Sequence, residues 1–241
     1  MPMLPRKTTA ICAFALLAAC PWPFAAAAER VPFVGCPADG QLGPIAAPRG
    51  APRAVGVDAA AARQLAYYQA KDSFGVLAPK GWKCYYFYGS SGATLVVAPS
   101  GNLQNALDAP LSGAAVVATL DYGGTSGRFA VAKYAARLFP GDQRAFIAGV
   151  IAEDIEPKEN FPSGPYPADK MTYKNPRLVE FETPANADGL GTSDRLQMNA
   201  QPVVGLAKLE NTADGPNFFL LTVRLPAGQE ALAAAIVSQA E

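Results

Sequence analysis

The chain has 241 residues, of which 50% are hydrophobic and 17% are charged, so it can bury a sizeable core and is not typical of disordered proteins. Its 20 Lys and Arg residues balance its 20 Asp and Glu residues. Because this balance lacks the basic excess that binding to a phosphate backbone requires, we expect no nucleic-acid partner. The chain has no histidine, which excludes Ser-His-Asp and Cys-His nucleophilic sites and ordinary catalytic zinc sites.

Residues 1–28 have the three parts of a cleavable signal peptide in the usual order. Arg6 and Lys7 supply positive charge, residues 10–19 form an apolar run too short to span a bilayer, and residues 25–28 suit signal peptidase. We therefore predict an exported protein, either periplasmic or secreted. An alternative stays open, because the residues ending at Cys20 resemble a bacterial lipobox whose cysteine is acylated and anchors the protein.

The remaining cysteines agree with export. Cys12 and Cys20 belong to the leader, which leaves Cys36 and Cys84 as the only pair in the mature chain. Two such cysteines usually join in an oxidising compartment, so we predict a disulfide between them. Two separately buried thiols are the alternative. A catalytic thiolate is not expected, because no histidine is present to activate it. No segment after the leader reaches about 18 uninterrupted apolar residues, so we predict no transmembrane span.

Residues 29–55 are predicted to form an extended, proline-rich segment, which we call the strap. Its prolines are Pro32, Pro37, Pro44, Pro48 and Pro52. Prolines at this spacing forbid a regular helix and favour a segment that lies across a surface. The predicted disulfide would fasten the strap through Cys36. Residues 56–241 are then predicted to form a single α+β domain.

The domain is predicted to begin with a helix that is followed by a β-hairpin. Asp58 can cap a helix that runs to about Lys71, with Leu65 and Tyr68 on its inward side. The hairpin is predicted from a strand at Trp82–Tyr88, a turn at 89–92 and a returning strand at 93–98. Both faces of the first strand carry apolar side chains, so we expect both faces to be covered.

The rest of the chain predicts further strands and helices without a regular βαβ alternation. The predicted strands are 114–122, 177–183, 203–210 and 218–225, of which the last two form a hairpin. The predicted helices are one stopped by Pro140, one capped by Asp142 and a terminal one at 229–239. Residues 156–175, with four prolines, are predicted to form a long loop that is functional or mobile. We therefore predict an α+β fold with a largely antiparallel sheet packed with helices.

Several motifs offer chemistry, and each also has an ordinary structural explanation. Glu153, Asp154, Glu156 and Glu159 cluster at a predicted helix end. A glycosidase needs two carboxylates about 5 to 9.5 Å apart, but a solvated helix end and loop is the favoured explanation of the cluster. Residues 186–189 are similar to part of a calcium loop, although the flanking acids of that pattern are absent. Residues 123–127 form a glycine-rich turn before a helix, which could bind an anion or be a plain turn.

The favoured function is therefore a non-enzymatic binding module whose partner is an envelope protein, a glycan or a small ligand. Its predicted binding surface comprises Tyr88, Phe161, Tyr166, Asn186 and Asp188. We predict no catalytic residue, no metal site and no cofactor. The alternative is a carboxylate-dependent glycan hydrolase that would use the acids at 153–159 or Asp188.

Four short runs resemble a family of exported bacterial proteins of unknown function. The runs are Val31–Pro37, Gly75–Trp82, Gly164–Pro167 and Thr183–Thr192. The resemblance covers most of the mature chain and implies export and a shared fold, but it supplies no catalytic residue and no ligand. The order of predicted elements separately resembles Mog1/PsbP-like α/β sandwiches, which is an analogy of architecture that carries no function.

Overall fold

An eight-stranded sheet forms the centre of the fold in the computed structural model, which describes residues 28–240. The predicted leader, with Cys20, lies outside the described residues except for Ala28. The strands are β1 (Glu29–Val31), β2 (Phe33–Gly35), β3 (Ala38–Gly40), β4 (Arg53–Val55), β5 (Leu65–Gln69), β6 (Gly75–Pro79), β7 (Lys83–Tyr88), β8 (Gly92–Ala98), β9 (Ala115–Asp121), β10 (Lys170–Asn175), β11 (Leu178–Thr183), β12 (Val203–Thr212) and β13 (Gly215–Arg224). The helices are α1 (Ala59–Gln64), α2 (Arg128–Leu138), α3 (Arg144–Ala152) and α4 (Glu230–Ser238).

The central sheet has the strand order β10-β11-β12-β13-β9-β8-β7-β3. Every neighbouring pair is antiparallel except β3 and β7, which are parallel. The predicted α+β class with a largely antiparallel sheet is therefore confirmed. No helix among residues 28–240 is long and apolar enough to cross a membrane.

Side chains alternate along each strand, so the sheet buries two faces. On one face, Leu206 and Leu221 pack with α4 and with the strap in the largest apolar cluster. We call this the α4 face. On the opposite face, Phe218 and Leu220 pack against α2, and we call it the α2 face. Tyr85 and Tyr86 of β7, which lie on opposite faces, are both buried, as expected for a strand that is covered on both sides, and residues 93–98 of the neighbouring β8 are buried as well.

The strap takes part in the sheets instead of only lying across them. β1 pairs with β4, β2 pairs with β5, and β3 adds an edge strand to the central sheet beside β7. Cys36 and Cys84 form the predicted disulfide, with an S–S distance of 2.06 Å. The backbone N–H of Cys36 also donates to the carbonyl of Gln69 at 3.0 Å. The strap is therefore held by backbone pairing and by a covalent bond.

Most elements with a clear local pattern are where the sequence predicts them. β7 and β8 form the predicted hairpin, and β12 and β13 form the second one. Helix α2 ends at Leu138, just before Pro140, and α4 buries Leu232 and Ile236 as predicted. These elements agree because hydrophobic periodicity and turn residues specify each of them locally.

The first helix is shorter than predicted. Asp58 caps α1 as expected, its Oδ1 accepting from the N–H groups of Ala60 and Ala61 at 2.8 Å each. The helix ends at Gln64, however, and residues 65–69 form strand β5 between β2 and β6. Tyr68 is fully buried there, and its hydroxyl donates to the carbonyl of Pro79 at 2.7 Å. Strand pairing on both sides thus overrides the helical pattern.

Two further predictions are wrong in the middle of the chain. Residues 170–175, predicted as loop, form edge strand β10, whose exposed polar side chains give no burial pattern to recognise. Asp142 does not cap α3, because its carboxylate accepts from the guanidinium of Arg177, with the Nε at 2.8 Å. The N-cap residue is Gln143, which makes no capping hydrogen bond through its side chain.

Candidate functional site

A groove of about 490 Å³ lies on the α4 face, between α4 and the outer strands of the sheet. Val204, Val223 and Leu225 contribute its apolar floor. Ala233 and Ala234 of α4 form part of one wall. Ligand sites of small molecules are concave and mostly apolar, with volumes of about 300 to 1,000 Å³, so the groove has the size and lining of such a site.

The groove exists because α4 is short and lined with small side chains. Helix α4 has 9 residues and packs on β12, β13 and β6, so the outer part of the sheet extends beyond it. Ala233 is buried, whereas Ala234 is exposed on the helix wall. Larger residues at these positions would fill the space above Val204, which is only partly buried. The alanine content of α4 is the sequence signal that could have indicated a cavity.

The rim of the groove is charged. Lys170 lies opposite Glu182 in the β10–β11 register, and their side chains form an ion pair at 2.8 Å. Glu180 pairs with Lys174 at 2.9 Å. Glu230 at the start of α4 accepts from the N–H of Gly228 at 3.0 Å. The lining holds one lysine and three glutamates, and with Lys174 beside Glu180 one glutamate remains in excess, so the charge of the rim favours a ligand with a cationic or hydroxyl-bearing end.

A second notable feature is a pair of aspartates on the α2 face that the sequence does not single out. Asp194 Oδ2 accepts from the hydroxyl of Thr119 at 3.2 Å, and Asp194 Oδ1 lies 3.0 Å from Arg195 Nε. Asp121 is half-buried at the end of β9. The pKa of the Asp121 carboxyl is raised to about 7, chiefly by burial and secondly by the negative charge of Asp194, while Arg195 opposes both effects.

Tyr134 connects this aspartate pair to the predicted surface. Its ring stacks on Phe218 with centroids 4.4 Å apart, and burial raises the pKa of its hydroxyl, as does the nearby charge of Asp194. Tyr166 is also close enough to act on the hydroxyl of Tyr134. The guanidinium of Arg137 lies over the Tyr166 ring at 4.0 Å. Tyr166 therefore lies near Tyr134, but one face of its ring is covered by the guanidinium of Arg137.

The structure does not bring the other predicted surface residues together. Tyr88 is half-buried, and its hydroxyl donates to the carbonyl of Gly43 in the strap at 2.6 Å. Phe161 is 8% exposed and packs in the apolar cluster between α2 and α3. These two side chains therefore stabilise the fold at separate places, because the strap and α3 cover them.

Asn186 and Asp188 lie in the exposed loop that precedes Asp194 in the chain. Asn186 has a left-handed backbone with φ of 56°, and its N–H donates to the carbonyl of Asn199 at 2.7 Å. Asp188 is exposed, and its charge helps to raise the pKa of the half-buried Asp169, after the larger effect of burial. Within residues 28–240, no group of three or more Cys, Asp or Glu side chains is arranged to hold a metal ion.

Two of the four acids at 153–159 form surface ion pairs, and the other two, Asp154 and Glu159, are exposed. Glu153 pairs with Arg128 at 2.5 Å, and Glu156 pairs with Lys133 at 2.6 Å. Hydrogen bonds from these cations hold the pKa values of both carboxyls below their usual range. Glu153 and Glu156 are therefore paired carboxylates that are not suited to donate a proton near neutral pH.

The glycine-rich turn at 123–127 is explained by close packing. A Cβ atom added to Gly127 would lie 2.1 Å from the carbonyl oxygen of Ser91, and one added to Gly123 would lie 2.0 Å from that of Pro216. The chain needs glycine at both positions because neighbouring backbone occupies the space of a side chain. The plain-turn interpretation accounts for these residues.

Comparisons with protein-family models, with curated proteins and with solved structures give no significant match to this chain. The resemblances to a family of exported bacterial proteins and to Mog1/PsbP-like sandwiches therefore stay predictions.

Proposed function

We propose that this chain is an exported, non-enzymatic binding protein whose ligand occupies the groove beneath α4. The groove carries the proposal, because it combines an apolar floor with a polar rim in a space of about 490 Å³. The ligand class that fits is a small amphipathic molecule. Its apolar part would lie on Val204 and Val223, and its polar end would meet the glutamates of the rim.

Export is supported by the disulfide and by the leader predicted from the sequence. A bond between Cys36 and Cys84 persists in the periplasm or outside the cell and is rare in a reducing cytosol. The resemblance to exported bacterial proteins agrees with this part of the proposal. The soluble and the Cys20-anchored forms differ in mass after processing, so mass spectrometry of the mature N-terminus separates them.

Blocking the groove should weaken binding without unfolding the chain. The test uses isothermal titration of the oxidised mature chain with decylamine, decanoate and octyl glucoside below their micellar concentrations. We expect decylamine to bind more tightly than decanoate, because the rim carries more glutamate than lysine. Ala234→Trp should weaken decylamine binding at least about tenfold, since the indole would fill the space above the floor.

Ala231→Trp is the matched control, because Ala231 is exposed on the same helix but does not line the groove. It should bind decylamine as the unmodified chain does, and both variants should keep a cooperative melting transition. Failure of all three probes to bind would contradict the proposal. Equal binding by the Ala234→Trp and Ala231→Trp variants would show that the ligand sits elsewhere.

A second candidate function is carboxylate-dependent glycan hydrolysis, and the aspartate pair is the observation that favours it. Asp121, with a pKa of about 7, can hold a proton near neutral pH, while Asp194 lies beside the cation of Arg195. General acid–base catalysis by carboxyls uses one group that holds a proton near the working pH beside a second carboxyl. Glu153 and Glu156 lack this arrangement, because hydrogen bonds from Arg128 and Lys133 lower the pKa values of their carboxyls.

Activity on soluble cell-wall glycan fragments tests this second function. If the chain is a hydrolase, Asp121→Asn and Asp194→Asn should each lower turnover at least about a hundredfold, as expected for loss of an acid or base. Glu153→Gln should leave turnover unchanged, because Glu153 only pairs with Arg128. Absence of turnover in the unmodified chain, or turnover that survives both aspartate substitutions, rules out this candidate.

A further inference from the structure

A second cleft, separate from the groove, lies between two parts of the strap, at Phe33 and at residues 48–53, and the turn that follows β5. It has a volume of about 490 Å³ and shares no lining residue with the groove. Phe33 lines one side, residues 48–53 line the other, and residues 69–72 close one end. The cleft exists because the strap doubles back from β2 to β4 and leaves its proline-rich part at the surface.

Arg53 is the best-positioned cation in this cleft. Its Nη2 donates to Gln69 Oε1 at 2.9 Å, and the Gln69 amide in turn donates to the carbonyl of Ser73 at 2.5 Å. The guanidinium carbon lies 5.8 Å from the centroid of the Phe33 ring and 5.6 Å from that of Tyr67. Cation–π contact on two rings and one fixed hydrogen bond hold the guanidinium in place. Since arginine has five N–H donors, this arrangement leaves others available.

The cleft is positively charged although the chain as a whole is balanced. Arg49, Arg53 and Lys71 line it, and Asp72 is the only acidic residue in its lining. Among the described residues, none of these three cations forms an ion pair with a carboxylate. The positive charge of Arg53 also acts on the neighbouring Tyr67. Burial raises the pKa of the Tyr67 hydroxyl, and the charge of Arg53 partly opposes this rise.

Arg53 also stands between this cleft and an adjacent cavity of about 450 Å³. That cavity is lined by Tyr67 and Val76 and by residues near the end of α4, including Gln239. A ligand that places a charged group at Arg53 therefore has space on both sides of the guanidinium for further atoms. The aromatic and proline side chains around the cleft suit a flat, apolar part of such a ligand.

We propose that the strap cleft binds an oxyanion, a carboxylate or phosphate group on a small organic ligand, through the guanidinium of Arg53. The planar guanidinium matches the two oxygens of either group with two parallel hydrogen bonds. Arg49 and Lys71 contribute positive charge around the bound group. This site is independent of the ligand groove beneath α4.

Titration of the oxidised mature chain with three phenyl compounds tests the proposal. Phenyl phosphate and benzoate present the two oxyanions on the same ring, and phenol presents the ring without either. We expect at least one of the two anions to bind more tightly than phenol, and more weakly as salt screens the site. Preference for phenyl phosphate identifies phosphate esters as the source of the oxyanion, and preference for benzoate identifies carboxylates.

Arg53→Gln should weaken anion binding about tenfold or more, because it removes a charge-assisted pair of hydrogen bonds. Arg144→Gln is the matched control, since it removes the same charge from an exposed position at the start of α3. Both variants are first checked by thermal melting, and Arg53→Lys provides a milder change that keeps the charge. The proposal is overturned if neither anion binds more tightly than phenol or if both glutamine variants bind equally well.

Discussion

Replacing Asp121 with asparagine should stabilise the chain at pH 8. In the folded chain the carboxyl of Asp121 has a pKa of about 7, against an ordinary value of 3.8, chiefly because it is buried and secondly because Asp194 is near. Above pH 7 the folded state therefore holds a desolvated negative charge that asparagine lacks. The difference between the folded and the ordinary pKa of Asp121 corresponds to at most about 4 kcal/mol. For Asp121→Asn we therefore expect a gain of about 2 to 4 kcal/mol in the free energy of unfolding.

The sign of this effect determines its pH window. The folded chain binds the Asp121 proton more tightly than the unfolded chain, so between pH 4 and pH 7 only the folded state keeps it. This group's contribution to stability is therefore complete below about pH 4 and is lost as the pH rises to about 7. The advantage of Asp121→Asn should be less than about 1 kcal/mol at pH 4 and largest above pH 7.

Chemical denaturation of the unmodified chain and the variant at pH 4, 6 and 8 measures this difference directly. Asp188→Asn is the control, because it removes an exposed carboxylate from the neighbouring loop and should change stability little at any of these pH values. The charged groups that act on Asp121 are Asp194 and Arg195. Because the charge of Asp194 raises the pKa of Asp121, Asp194→Asn should move the pH range of this stability change toward lower pH. An advantage of Asp121→Asn that does not change with pH would contradict a raised pKa.

Removal of the disulfide should lower the free energy of unfolding by about 4 kcal/mol. Cys36 and Cys84 are separated by 48 residues, and closing a loop of that length stabilises a fold by about 4 kcal/mol in the chain-entropy model. For the double variant Cys36→Ala/Cys84→Ala we expect a melting temperature about 8 to 16 °C lower, as that loss implies for a chain of this size. Thermal melting of the oxidised, reduced and double-variant chains measures it.

The strap should respond first to loss of the disulfide. β2 and β3 each have only three residues, whereas β12 and β13 pair over nine positions in the centre of the sheet. Backbone amides at 33–40 should therefore exchange with solvent faster in the double variant, while those of β12 keep their protection. A double variant that melts within about 2 °C of the oxidised chain would show that strand pairing alone holds the strap.

Elements with strong local signals could be predicted from the sequence alone. The hairpin of β7 and β8 has an aromatic strand and an aliphatic strand on either side of a Gly-Ser turn, and each of these signals acts within a few residues. Helices α2 and α4 end where Pro140 and the last apolar residues predict. The disulfide could be predicted because the mature chain has one pair of cysteines. Export is a prediction of the same kind, and it awaits the measurement of the mature N-terminus.

Elements that depend on distant partners could not be predicted. Residues 65–69 have a helical pattern, yet they form a strand because β2 and β6 provide hydrogen-bonding partners on both sides. Residues 170–175 form a strand only because β11 pairs with them, and their exposed side chains leave no periodicity. Local propensity is weak compared with the pairing of a whole strand, so the tertiary structure decides both cases.

The sequence by itself determined the α+β class, the disulfide and the absence of histidine-based chemistry, because these follow from composition and from patterns that span a few residues. Only the tertiary structure decided where binding chemistry can occur. Asp121 and Asp194 are 73 positions apart in the chain, and the groove joins α4 to strand residues that precede its start by about 7 to 60 positions. Proximity between such segments is a property of packing, and no local pattern encodes it.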